Sequence, residues 1–191
     1  MAGSSFFREF LSNWQTTGAI APSSPSLARE IALCAGVSAA RNIIELGPGT
    51  GALTDAIAGT KPSGAAYMGI EINAGFVGEL RQRHPSLNFT HGAAQDFDFA
   101  GYLANSPPLD CIISGLPWAA FPPSLQEAIL KPVVQHLPRG ARFVTFAYAG
   151  PHLLTKGRHF RGMLEQHFCQ VGRSDMVWNN LPPAFVYVAS H

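Results

Sequence analysis

The sequence predicts an α/β fold, a doubly wound and mostly parallel sheet, and three observations carry that expectation. Short apolar runs alternate with segments of helical period along most of the chain. One such run, "NIIEL" (42–46), breaks into "GPGTG" (47–51) before a helical pattern resumes. The last two runs are joined by a link too short for a crossover, which suits a closing antiparallel hairpin.

Taken in order, a helix is expected over about 4–15. Its apolar side carries Phe6, Phe7, Phe10, Leu11 and Trp14, and its polar side Arg8, Glu9, Ser12 and Gln15. A loop through "TTGAIAPSS" leads to a second helix over about 25–36. The strand 42–46, the glycine turn and a helix over about 50–59 follow. "AAYMGIEI" (65–72) reads as the second strand and "AGFVGELRQRH" as the helix after it. Further strands fit "LNFTH" (87–91), "LDCIISG" (109–115) and "ARFVTFAY" (141–148), with a helix over about 123–136 between the last two. "HFCQVGRSDMVW" and "AFVYVAS", linked by "NNLPPA", form the terminal hairpin. One domain is expected over 1–191, with a helical N-terminal cap over 1–36 and a core over 41–191.

With 47% apolar and only 13% charged residues among 191, the chain can bury one substantial core. A net charge of +1 supplies no field to hold a polyanion, which argues against nonspecific nucleic-acid binding. Cys34, Cys111 and Cys169 are odd in number and far apart, so free thiols in a reducing compartment are expected. The sequence shows no signal-peptide order and no apolar run near ~20 residues. A cytoplasmic protein, peripheral at the inner face of a membrane if it acts there, is the expectation. His84, His91, His136, His152, His159 and His167 show no paired metal-ligand spacing, and no nucleophile elbow occurs. No metal is expected.

The glycine turn has a mechanical reason for its composition. Glycines reach positive φ and let a ligand approach the backbone, while the following helix offers unpaired N–H groups. The spacing is GxGxG behind Glu45, and Glu71 closes the second strand 26 positions later, where ribose hydroxyls would lie in a Rossmann-like fold. "ELGPGTG" followed by "IEIN" resembles motif I and the ribose acid of class I S-adenosylmethionine-dependent methyltransferases. That resemblance implies that Glu45, Gly47, Gly49 and Gly51 serve the amino-acid end of the cofactor. It also implies that Glu71, with Ile72 beside it, accepts the ribose hydroxyls. "HGAAQDF" (91–97) resembles the element that holds adenine, with Ala93 where an acid is usual. Ala94 and Gln95 are pocket candidates. Gln95, Asp96 or a backbone carbonyl could accept from the adenine amino group, and Asp96 could instead cap a helix.

"SGLPWAAFPP" (114–123) follows the fourth strand, where open α/β sheets place their chemistry. It resembles the "NLPY" element of adenine N6-methyltransferases, including those that dimethylate ribosomal RNA, but Gly115 stands where the Asn or Asp would be. Only Ser114, Asp110 or main-chain carbonyls could replace that side chain. A resemblance spanning more of the chain is to bacterial phospholipid N-methyltransferases, through "TGAIAPSSPSLAR" (17–29), "ELGPGTGALT", "SGLPW" and "NNLPPAFVYV" (179–188). It implies S-adenosylmethionine as cofactor and a phosphatidylethanolamine-type lipid as methyl acceptor. Trp118 and Tyr148, with Ser114, are then the catalytic candidates, because aromatic faces favour a cationic product; Ser114 also counts among the cofactor contacts. Phe121 is either another such face or core.

A lipid substrate implies a membrane partner and no specific nucleic acid. Phe7, Phe10 and Trp14 would enter the interface, and Arg158 and Arg161 in "KGRHFRG" (156–162) would hold lipid phosphate, with Asn180 on the substrate side. The bland readings are a lid helix and a solvated charged helix. Methylation of a soluble amine or of RNA adenine, and cofactor binding without catalysis, are the alternatives.

Overall fold

The computed structural model describes residues 23–191. The helix expected over 4–15, with Phe7, Phe10 and Trp14, lies outside the described residues.

The described residues form one seven-stranded sheet in the order β3-β2-β1-β4-β5-β7-β6. Its strands are β1 (Asn42–Leu46), β2 (Ala66–Glu71), β3 (Asn88–His91), β4 (Cys111–Ser114), β5 (Arg142–Tyr148), β6 (Gln170–Arg173) and β7 (Ala184–Ser190). β1 to β5 pair in parallel. β7 runs antiparallel to both β5 and β6. The terminal hairpin is therefore present, but its second strand inserts between β5 and β6, so the last strand of the chain is an interior one.

The helices are α1 (Pro25–Ala35), α2 (Ala52–Thr60), α3 (Ala74–Arg83), α4 (Phe99–Leu103), α5 (Pro123–His136) and α6 (Thr155–His167). Strand residues alternate between two cores because successive side chains point to opposite faces. Ile43, Ile113, Val144 and Val186 face Leu27 and Ile31 of α1, Leu53 and Ile57 of α2, and Leu80 of α3. Ile44, Leu46, Ile112, Phe143 and Phe185 face Ile129 and Val133 of α5 and Phe160 and Leu164 of α6. All five β1 residues are buried, which is why that strand shows no polar alternation in sequence.

Helix α1, grouped in sequence with the N-terminal cap, belongs to one of these layers. Ser24 caps it by accepting from the Leu27 N–H, and Pro25 suits its first turn. The sequence offered two readings of 156–162, a basic stretch that holds lipid phosphate and a solvated charged helix. The structure shows a full helix whose Gly157, Phe160, Met163 and Leu164 are buried while the charges face out.

Candidate active site

The turn after β1 is built as the sequence implies. Gly47, Gly49 and Gly51 have φ of 68°, 57° and 89°, where side chains are strained. A Cβ on Gly47 would stand 2.5 Å from Leu116 Cδ2, and one on Gly51 would collide with the Arg83 guanidinium. Around Gly49 nothing lies within 4 Å. That face of the turn is open to a ligand.

Glu45 lies fully buried beneath the turn. Its Oε2 accepts from Thr54 Oγ1 at 2.9 Å and from the Tyr67 hydroxyl at 2.5 Å, while Oε1 has no partner. Burial holds its carboxyl up at about 7, against the pull of those two donors. Glu71 closes β2 at the rim. Its Oε2 accepts from the Gly49 N–H at 2.9 Å and its Oε1 from the Asn73 N–H at 2.8 Å. Each oxygen keeps a second lone pair for a hydroxyl. Burial raises the Glu71 pKa, opposed by those backbone donors. Ile72 follows at the rim, its carbonyl 3.0 Å from His91 Nε2.

On the far side of Glu71 the turn after β3 holds Ala94, buried, and Gln95, whose buried Oε1 has no partner. An orphan acceptor there suits an amino group. Asp96 is exposed and caps nothing; the cap of α4 is Asp98, which accepts from the Gly101 N–H.

The turn after β4 presses against the glycine turn. A Cβ on Gly115 would stand 2.6 Å from the Gly47 carbonyl oxygen, so packing excludes an Asn or Asp there. The structure turns Ser114 inward: it is fully buried, and its Oγ accepts from Trp118 Nε1 at 3.0 Å and from the Leu116 N–H at 3.3 Å. It therefore holds Trp118 in place. The Trp118 indole is 2% exposed and stacks on Phe160, with centroids 4.4 Å apart. Phe121 is buried beside it. The Trp118 and Phe160 rings form part of the wall of a cavity of about 340 Å³ between the ends of β4, β5 and β7, and Phe121 lies in the core outside that wall.

The cavity lining is apolar apart from Tyr148, His152, Tyr187 and a few main-chain groups. The Tyr148 hydroxyl is buried without a partner, and burial pushes its pKa up to about 12. Leu116 joins the two parts of the site, because it meets Gly47 on one side and lines the cavity on the other. Leu154 and Pro182 complete the wall, and Leu154 with its chain neighbour Leu153, and Leu181 and Trp178 in the β6–β7 link, are exposed large apolar side chains. Leu153 is 63% exposed, Leu154 65%, Trp178 74% and Leu181 82%. Sequence reasoning missed these residues and the cavity role of His152; the available signal was their place just past the ends of β5 and β6.

Three other candidates sit apart from the lining. Arg161 pairs with Glu165 at 2.8 Å on the outer face of α6, and Arg158 is exposed there. Asn180 is buried: its Oδ1 accepts from the Ser24 N–H and its Nδ2 donates to the Pro182 carbonyl. It ties the start of α1 to the β6–β7 link. Among the described residues no group of three or more His, Cys, Asp or Glu could hold a metal ion. No described helix is long and apolar enough to cross a membrane.

The fold is that of S-adenosylmethionine-dependent methyltransferases. A TehB-like S-adenosylmethionine-dependent methyltransferase from Corynebacterium glutamicum superposes with a TM-score of 0.63 at 16% identity, covering 99% of this chain and 98% of that one. The O-methyltransferase from Bacillus cereus, solved in complex with S-adenosylhomocysteine, gives 0.67 at 17% identity over 98% and 91%. In sequence the chain is 28% identical over 141 residues to an ornithine lipid N-methyltransferase of Singulisphaera acidiphila, covering 72% of this chain and 73% of the relative. No family model matches. The residues present fit S-adenosylmethionine: an open Gly49 face, free lone pairs on Glu71 and an orphan acceptor on Gln95.

Proposed function

We propose that this protein is an S-adenosylmethionine-dependent N-methyltransferase whose acceptor is the primary amine of a membrane lipid headgroup, the ethanolamine headgroup first. The observation that carries this reading is the apolar cavity, joined to the glycine crevice through Leu116, with exposed Leu154 in its wall and exposed Leu153 and Leu181 next in the chain to lining residues. A soluble amine would need no such rim, and large exposed apolar patches mark interaction sites.

S-adenosylmethionine supplies an electrophilic sulfonium methyl group when bound. Glu71 would orient it through the ribose hydroxyls, and Gln95 would accept from the adenine. The buried Glu45 network keeps the glycine turn in shape from below. The apolar cavity disfavours an ammonium and so favours the neutral amine that can attack. Alignment of the two partners by these walls supplies much of the rate effect. Tyr148 in the cavity wall, whose hydroxyl has no partner among the described residues, would accept from the nitrogen as it becomes charged.

The 28% identical relative favours a second reading, in which the lipid amine belongs to ornithine. The test is transfer of labelled methyl to phosphatidylethanolamine, ornithine lipid, small soluble amines and RNA in parallel. Label in either aminolipid supports the proposal and chooses between headgroups. Label only in RNA or in soluble amines overturns it.

A further inference from the structure

We propose that His152 is a catalytic residue, the base that takes the proton from the substrate ammonium before methyl transfer; this rests on the lipid-amine reading above. His152 sits in the short turn Pro151–Leu153 after β5 and lines the cavity. Its Nδ1 lies 3.0 Å from the Tyr148 carbonyl oxygen. A carbonyl oxygen only accepts, so Nδ1 carries the proton and the neutral ring presents Nε2 as a lone pair. Among the described residues Nε2 meets no hydrogen-bond partner, and it is not among the sealed polar atoms.

The ring is held in place. It stands edge-on to Phe185, with centroids 4.9 Å apart and planes at 85°. Its backbone is pinned by α6: a Cβ on Gly157 would stand 2.6 Å from the His152 Cα and 2.5 Å from the Pro151 carbonyl oxygen. Glycine at 157 lets the helix press directly on this turn. A base fixed in one tautomer by a backbone acceptor, in the wall of an otherwise apolar cavity, is equipped to handle a proton.

The step balances simply. Nε2 bonds one proton of the ammonium, the N–H bond breaks, and its electron pair stays on nitrogen as the attacking lone pair. The imidazolium then passes the proton to water. Tyr148 on β5 and Tyr187 on β7 share the cavity lining with the ring; α6, which packs on this turn, also carries His159 and Lys156, whose Nζ donates to the Ala120 carbonyl at 3.1 Å. Arg173 on β6 stacks on Phe185, 5.6 Å from its centroid. Among the described residues no carboxylate lines the cavity.

Two measurements test this. Long-range proton–nitrogen NMR on the full chain at pH 8 should show neutral His152 as the Nδ1–H tautomer; an Nε2–H tautomer overturns the proposal. The second is the pH profile of kcat/KM for the labelled aminolipid with His152→Asn, whose amide can keep the bond to the Tyr148 carbonyl but offers nothing at Nε2. A loss of about 100-fold is expected at pH 7. It should shrink to near parity at about pH 10, where the amine is already free. A loss equal at every pH, or none, overturns the proposal alone. Should His152→Asn melt well below the wild type, His152→Gln is read by the same profile. If the wild type labels no aminolipid, the lipid reading fails and this inference falls with it.

Discussion

The carbonyl oxygen of Gly47 and the α-carbon of Gly115 interlock, leaving only 2.6 Å between that oxygen and any Cβ at 115. The Gly47 N–H donates to Ile70 and the Gly115 N–H to Leu46, so both turns continue the ladder around β1. The glycine turn after β1 and the turn after β4 are one packed unit. Gly115 is the condition for that contact, because any side chain there would meet the Gly47 carbonyl oxygen.

Gly115→Asn should therefore lower stability by about 1–3 kcal/mol, since backbone must move to admit the side chain. It should also weaken S-adenosylmethionine binding through the displaced Gly47 turn. Denaturant unfolding and titration calorimetry measure the two effects, and an undisturbed affinity would show the turns to be independent.

Glu45 predicts the pH dependence of stability without cofactor. Burial raises its pKa from the ordinary 4.5 to about 7, so between these values the folded state binds a proton that the unfolded state has lost. Its contribution is full below pH 4.5 and falls as pH rises to about 7, by roughly 3 kcal/mol at most. Glu45→Gln should flatten this part of the curve. Melting temperatures from pH 4.5 to 8 on both proteins measure it.

Tyr148→Phe should separate stability from turnover. The hydroxyl is buried without a partner, a burden of about 1–3 kcal/mol that phenylalanine lacks. The variant should melt at or above the wild-type temperature while methyl transfer slows and cofactor affinity holds. An unchanged rate would remove the hydroxyl from the reaction.

Leu153→Glu with Leu181→Glu should abolish association with vesicles of phosphatidylethanolamine and phosphatidylglycerol. Both side chains are more than half exposed, so the fold should not change. Co-sedimentation reads membrane binding, and calorimetry with S-adenosylmethionine should match the wild type. Undiminished sedimentation would assign the rim another role.

Much of this molecule was legible as sequence. Helix α5 and strands β1 and β7 run where their apolar runs and prolines begin and end them. Glycines at 47, 49 and 51 announced their positive φ, and Glu71 its place at the end of β2. The charged-helix reading of 156–162 missed the buried side of α6, because Lys156, Arg158 and Arg161 dominate a segment whose buried stripe is only Gly157, Phe160, Met163 and Leu164.

The sequence by itself determined the order of elements, the parallel sheet with its antiparallel end, and the cofactor-side turn, because periodicity and glycine chemistry are local properties of the chain. Only the tertiary structure decided which candidates face the cavity. It turned Ser114 and Asn180 inward as hydrogen-bond ties and stacked Trp118 against Phe160. It left the Tyr148 hydroxyl orphaned and set His152 in the cavity wall with its Nδ1 tethered. A side chain's orientation depends on neighbours from distant segments, as with Phe160 for Trp118 and Gly157 for His152, and no local pattern in the chain encodes those contacts.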